Sequence, residues 1–218
     1  MHTSTSADAV LGDAATAVAT ARAGGRIATL ILPADTAWNP SRGPAGAMAV
    51  PALPKVDDKR IGQAVQYLRS GKRCTLMMTG PLLVEPYASL AARLAVKTGC
   101  RLLAQQSNAR MSRGLGHPNI ARVPYVVAQA RAALADIEVL ILLGANPPAS
   151  FFAYPDQPNM MSPEACDTFV LASRDDDLVA NLEALADAVG VDRRSPLVLP
   201  EPSLQRVPEG ALTADSLM

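Results

Sequence analysis

The sequence predicts an α/β protein built on a doubly wound parallel sheet, Rossmann-like in its central part. Three observations lead there. First, the apolar runs Cys74–Thr79, Cys100–Gln105, Glu138–Leu143 and Thr168–Ala172 alternate with helix-like or loop segments. Second, the first of these runs, Cys74–Thr79, reads as a fully apolar short strand, as expected of a strand covered on both faces. Third, hydrophobic residues make up 49% of the 218 but aromatic ones only 4%. Ala, Leu and Val must therefore build the core, and such small and medium side chains let helices lie close on a sheet.

The elements follow in order. Ser6-Ala-Asp opens a small-residue helix that runs to Gly24-Gly25, and Ile27–Leu32 forms an apolar strand stopped by Pro33. One helix and one strand cannot bury two faces, so this unit either packs on the rest of the chain or is the remnant of a larger domain. Residues 36–56, with Pro40, Pro44, Pro51 and Pro54, read as an extended linker. Asp57-Asp58 caps a helix through Leu68, with Ile61, Val65 and Leu68 on one stripe and Gly71 at its end. After the first strand, Gly80-Pro81 turns the chain into a helix from Glu85 or Pro86 to Thr98. After the second, residues 107–122 form a loop, and Pro124 opens a helix through Ala135. A long loop leads from the third strand to the fourth. Asp175–Asp177 then begins a last helix that Gly190 stops, the acidic run matching the helix dipole. The predicted organisation is a helix–strand unit at 1–35, a linker at 36–56, a central domain at 57–190 and a second proline-rich linker at 191–218. No internal repeat is visible.

Composition excludes several classes of function. Lys plus Arg (20) balances Asp plus Glu (20), which leaves no electrostatic footprint for nucleic acid or an anionic membrane. No apolar run nears the ~20 residues of a membrane span, and residues 1–4 do not resemble a signal peptide. Cys74, Cys100 and Cys166 are odd in number and widely spaced, and read as small core hydrophobes of a cytoplasmic protein. A metal site lacks ligands, because His2 and His117 are the only histidines and neither lies near a cysteine in sequence. His117, with no acidic neighbour in sequence, reads as a surface or structural histidine. There is no nucleophile elbow, no HExxH and no Walker loop. The residues by themselves thus give a soluble α/β domain with linkers and no catalytic constellation.

An open parallel sheet binds ligands beyond the carboxyl ends of its strands, where the strand order reverses. The loops predicted there are Thr79-Gly80-Pro81, Gln106-Ser107-Asn108, Gly144-Ala145-Asn146 and Ser173-Arg174-Asp175. The candidate nucleotide edge is Gly80, Asn108, Gly144, Ala145 and Asn146. Its glycines permit close approach of a ligand, and its asparagines can bond a base or ribose. The same residue types also suit plain strand-to-helix turns. No GxGxxG follows any strand, and Pro81 removes a donor that a pyrophosphate would use. Arg110, Arg113 and Arg174 are substitute cations near strand ends. Ser150–Pro155 holds two of the three Phe and one of the four Tyr, which marks a docking surface, a lid over a ligand, or core filling beneath the loop.

These residues also resemble a known family. The first helix, Gly24-Gly25, IATLILPADTAW (27–38) and the proline-rich linker resemble the end of the pyrimidine-binding domain of thiamine-diphosphate-dependent enzymes. The block from Asp57 to Gly190 resembles their central domain. NARMSRGLGHPNIARVPYVVAQA (108–130), ILLGANPPASFFAYP (141–155) and LTADSLM (212–218) are similar to the acetolactate synthase large-subunit-like branch. The resemblance implies a parent enzyme, a transferase or lyase, that decarboxylates a 2-keto acid with thiamine diphosphate and Mg²⁺ and then joins or releases the product. It implies a homodimeric or homotetrameric parent whose pyrimidine and diphosphate domains are partners of this chain. The family's activating glutamate would precede residue 1, and its Gly-Asp-Gly motif would follow residue 218. No cofactor or metal ligand therefore carries over, and the chain alone is expected to be inactive. Acetolactate synthases hold FAD on the central domain with a glycine turn and a Gly-x-Arg. Here Pro81 follows Gly80 and Asn146 stands where the arginine would be, so tight FAD is not expected. Two other readings remain open: a stand-alone nucleotide-binding or regulatory module, and a spacer between two cofactor-binding domains.

Overall fold

The computed structural model describes residues 1–23, 25–201, 210 and 213. Most of the second proline-rich stretch, and LTADSLM apart from Thr213, lie outside the described residues. The strands are β1 (His2–Thr3), β2 (Leu30–Ile31), β3 (Cys74–Met78), β4 (Arg101–Ala104), β5 (Ala121–Arg122), β6 (Val139–Leu143) and β7 (Asp167–Ala172). The α-helices are α1 (Val10–Arg22), α2 (Ala34–Trp38), α3 (Asp58–Arg69), α4 (Tyr87–Thr98), α5 (Val127–Leu134) and α6 (Leu178–Ala188). A 3₁₀ turn covers Gly80–Leu83.

The main sheet is wholly parallel with the order β5-β4-β3-β6-β7. The chain moves outward from β3 through β4 to β5, returns to β6 beside β3, and moves outward again to β7. The order therefore reverses between β3 and β6. Strand pleating sorts the apolar residues onto two faces. Cys74, Leu76 and Met78 join Val139, Ile141 and Leu143 under α3, α4 and α6, while Met77, Leu140 and Leu142 pack with Ala130 and Leu134 of α5. Helices cover both faces, which makes the sheet doubly wound. The core extends past Gly190, since Val191 is buried and the Arg93 guanidinium bonds the Ser195 carbonyl.

Several sequence expectations change in detail. The strand expected at 27–32 shrinks to Leu30–Ile31 and pairs in parallel with His2–Thr3, a strand too short to show an apolar pattern. The linker expected from residue 36 begins inside α2, whose Thr36 hydroxyl donates to the Pro33 carbonyl. The loop expected over 107–122 ends in the edge strand β5. The helices expected from Pro86 and Pro124 start at Tyr87 and Val127, because each proline lies before the first helical residue. Cys74 and Cys100 are buried as expected; Cys166 is only half-buried. His117 does have an acidic partner, Glu85, with Nδ1 and Oε1 3.2 Å apart across 32 residues of sequence. No helix among the described residues is long and apolar enough to cross a membrane.

Candidate functional site

The loops at the carboxyl edge of β3, β4 and β7 enclose a cavity of about 430 Å³. Thr79, Gly80 and Pro81 come from the end of β3, and Ser107 and Asn108 from the end of β4. Arg174 and Asp176 follow β7, and Leu178 opens α6. The N-terminal unit closes the rim with Arg22 and Gly25, and the linker adds Leu53.

Each wall has a local cause. Asn108 bridges the ends of β3 and β4: its Oδ1 accepts from the Thr79 hydroxyl at 2.9 Å, and its Nδ2 donates to the Gln105 carbonyl. The three consecutive aspartates have three separate partners. Asp175 pairs with Arg26 and so ties the N-terminal unit to the central sheet. Asp176 accepts from the Ser173 N–H and hydroxyl at 2.7 and 2.9 Å, folding the turn after β7. Asp177 caps α6 by accepting from the Ala180 N–H at 3.0 Å. Only Asp177 therefore answers the expectation that the acidic run is a helix start.

The linker is fixed where it crosses this edge. The Asp177 N–H donates to the Pro54 carbonyl at 2.7 Å. Asn181, only 1% exposed, donates from Nδ2 to the Asp177 carbonyl and accepts the Val56 N–H at 3.1 Å. This buried amide satisfies the linker backbone as it passes over α6.

The expected nucleotide edge divides. Gly80 and Asn108 share the cavity just described. Asn146 lies in a neighbouring cavity of about 210 Å³ with Gln105, Gln106 and Ser107, and its N–H already donates to Gln105 Oε1 at 2.9 Å. Ala145 is 6% exposed and belongs to the core on the α5 face. Gly144 has φ +73°, and a Cβ there would sit 2.5 Å from Leu178 Cδ1. The backbone approach that this glycine permits is made by a core leucine. Among the sequence-flagged cations, Arg174 joins the cavity and its Nε donates to the Gly144 carbonyl at 3.4 Å. Arg22 and Leu53 were not legible as site residues, since only tertiary packing brings them to the edge.

The aromatic loop is no core filler. Phe151, Phe152 and Tyr154 are 70%, 55% and 41% exposed, and their rings form a chain of contacts that begins at Tyr125.

The comparisons with known proteins bear on this geometry. No family model matches the chain. A Mycobacterium tuberculosis protein provisionally named acetolactate synthase large subunit IlvX is 37% identical over 204 residues, which is 94% of this chain and 39% of that protein. The chain is thus similar to part of an acetolactate synthase large-subunit-like protein. It spans about two fifths of the curated relative's length. Solved structures of thiamine diphosphate-dependent enzymes share its fold. The thiamine diphosphate-dependent 4-hydroxybenzoylformate decarboxylase of Rhodococcus jostii RHA1 matches with TM-score 0.68 at 19% identity, over 96% of this chain and 43% of that one. Benzoylformate decarboxylase from Polynucleobacter necessarius matches with TM-score 0.62 at 16% identity, over 99% and 43%.

The residues present do not suit the family's cofactors. Among the described residues no group of three or more His, Cys, Asp and Glu side chains could hold a metal ion. A flavin diphosphate fits the β3 turn poorly as well. Pro81 has no N–H, and Arg22 and Arg174 are offset by Asp176 and Asp177 in the same cavity, which leaves no net positive charge for its phosphates.

Proposed function

We propose that the chain is the central-domain portion of a thiamine-diphosphate-dependent enzyme resembling acetolactate synthase, in which it spaces and orients the two cofactor-binding domains. The observation that supports this reading best is the match at 37% identity over 94% of the chain but only 39% of the relative. The parent reaction would be decarboxylation of a 2-keto acid followed by carboligation or aldehyde release, with Mg²⁺ as the metal of the parent. Thiamine diphosphate supplies the carbanion chemistry when bound, on residues outside this sequence. The parent would be a cytoplasmic homodimer or homotetramer.

Within that role, the carboxyl-edge cavity would take the base or ribose of a nucleotide rather than a diphosphate. Asn108 and Ser107 offer neutral donors and acceptors, and Gly80, at φ +61° with open space where a Cβ would stand, lets a flat group approach the backbone. Tight flavin binding is not part of the proposal. Purified protein should be colourless, and added FAD should keep its fluorescence at micromolar protein. A yellow preparation whose colour survives dialysis would reverse this and place the parent with flavin-containing synthases. The chain by itself should neither bind thiamine diphosphate nor consume pyruvate, and detection of either would refute the spacer reading.

A further inference from the structure

The main sheet ends at β7, whose outer side has no strand partner among the described residues. The backbone phase of that edge is fixed. The Asp167 N–H donates inward to the Glu138 carbonyl at 2.9 Å. In a parallel strand the N–H and C=O of one residue point to the same side, and the side alternates along the chain. Phe169 therefore also faces β6, while Thr168 and Val170 turn both polar groups outward. Their side chains are accessible: Thr168 is exposed, and so is Val170 at 38%. Phe169 points to the opposite face, half-buried against Tyr67 of α3 with ring centroids 5.5 Å apart. On the α5 face a groove of about 930 Å³ runs beside the edge, between Thr168, Met160 and Ala135. An open edge with an apolar groove beside it is the geometry that accepts an added strand.

The chain carries a segment with the complementary need. Pro196-Leu197-Val198-Leu199-Pro200 is an uncharged apolar run outside any helix or strand. Val198 is 70% exposed, Leu199 is exposed and Leu197 is half-buried. Leu199 precedes a proline and is thereby held to extended backbone. This segment cannot reach β7 of its own molecule. The Arg93 guanidinium of α4 bonds the Ser195 carbonyl, and α4 packs on β4. From β4 the sheet passes through β3 and β6 before it reaches β7, a distance of roughly 14 Å at ~4.8 Å per strand. The two residues from Ser195 to Leu197 span at most about 7 Å.

We propose that residues 197–199 of a second copy of this chain add to β7 as a further parallel strand, with Val198 beside Phe169. In that register the Val198 N–H donates to the Thr168 carbonyl, and the Val198 carbonyl accepts from the Val170 N–H. The Pro196 carbonyl accepts from the Thr168 N–H. Pro200, with no N–H to offer, ends the ladder at Val170. Side chains alternate along the added strand. Val198 falls on the Tyr67 and Phe169 side, while Leu197 and Leu199 fall on the groove side beside Thr168 and Val170. The uncharged segment matches an edge whose outward residues carry no charge. Every copy holds both the edge and the segment, so the contact is self-association and requires no other partner. It stands independently of the thiamine-diphosphate reading and of the nucleotide edge.

The test is sedimentation velocity of the 218-residue chain over a concentration series, paired with amide hydrogen exchange. The chain should self-associate with a dissociation constant below about 1 mM, weak because one short strand makes a small interface. Val198→Pro, which removes the donor at the centre of the segment, should weaken association by about tenfold or more. Leu199→Asp should weaken it as well. Ile27→Asp, at an exposed apolar residue of the N-terminal unit, should leave it unchanged. The unmodified protein supplies a second reading that no variant's folding can confound. A synthetic peptide of residues 194–201 should slow exchange of the Thr168 and Val170 amides and compete with self-association, and the same peptide with Val198→Pro should do neither. A chain that stays monomeric at millimolar concentration would overturn the proposal. So would association that is insensitive to Val198→Pro, association abolished by Ile27→Asp, or peptide protection confined to amides outside residues 167–171.

Discussion

Gly80 and Gly144 share a left-handed backbone and differ in what surrounds them. A Cβ at Gly80 meets open space, whereas at Gly144 it meets Leu178. Gly80→Ala should therefore cost about 1–2 kcal/mol, from backbone strain alone. Gly144→Ala adds the overpacking of a close-packed core, for a total of about 2–4 kcal/mol. Urea denaturation of the two variants checks the order, and equal losses would deny the packing role of Gly144. The thiols make a second residue-scale prediction. Burial pushes Cys100 from 9.0 up to about 11 and also raises Cys74 and Cys166. A thiol whose folded pKa lies above its unfolded value stabilises the protein below the unfolded pKa, and that contribution is lost as pH rises through the folded value. Stability should thus fall between pH 9 and 11, and Cys100→Ala should fall less steeply over that range. In the native state at neutral pH, Cys166 should react with a thiol reagent well before the two buried cysteines. Labelling of Cys100 at the same rate would contradict its burial.

At the scale of elements, the central sheet was legible and its edges were not. Runs such as Val139–Leu143 are apolar at every position because both faces are covered, and that pattern survives translation into sequence. The two-residue strands β1 and β5 carry no pattern; they exist because a neighbouring strand offers its backbone. Two of the five candidate-edge residues, Gly80 and Asn108, line the cavity. Gly80 and Asn108 follow strands and could be placed by topology, whereas Gly144 and Ala145 were drawn into the core by α6 and α5, which sequence spacing does not reveal. The Asn181 clamp on the linker was also invisible, since a polar residue within a helix normally faces solvent. Asn181→Ala should cost about 1–3 kcal/mol, because the Val56 N–H loses its buried partner. The same change should expose residues 53–56 to protease, and unchanged protection would show that the linker is held by other contacts. Arg26 and Asp175 are 43% and 72% exposed at their side chains, so Arg26→Ala should change stability by at most about 1 kcal/mol.

At the scale of the molecule, the central sheet has its own core, while the N-terminal unit joins it mainly across one edge. We expect residues 57–195 to fold by themselves and limited proteolysis to cut first between residues 39 and 50, where the chain is exposed and outside any helix or strand. First cleavage inside the central sheet would move the boundary. The central claim is that this chain positions cofactor domains and lacks the ligands of the cofactor itself. Calorimetry of the purified chain with thiamine diphosphate and Mg²⁺ tests it most directly. No saturable heat is expected, and micromolar affinity for thiamine diphosphate would contradict the spacer role.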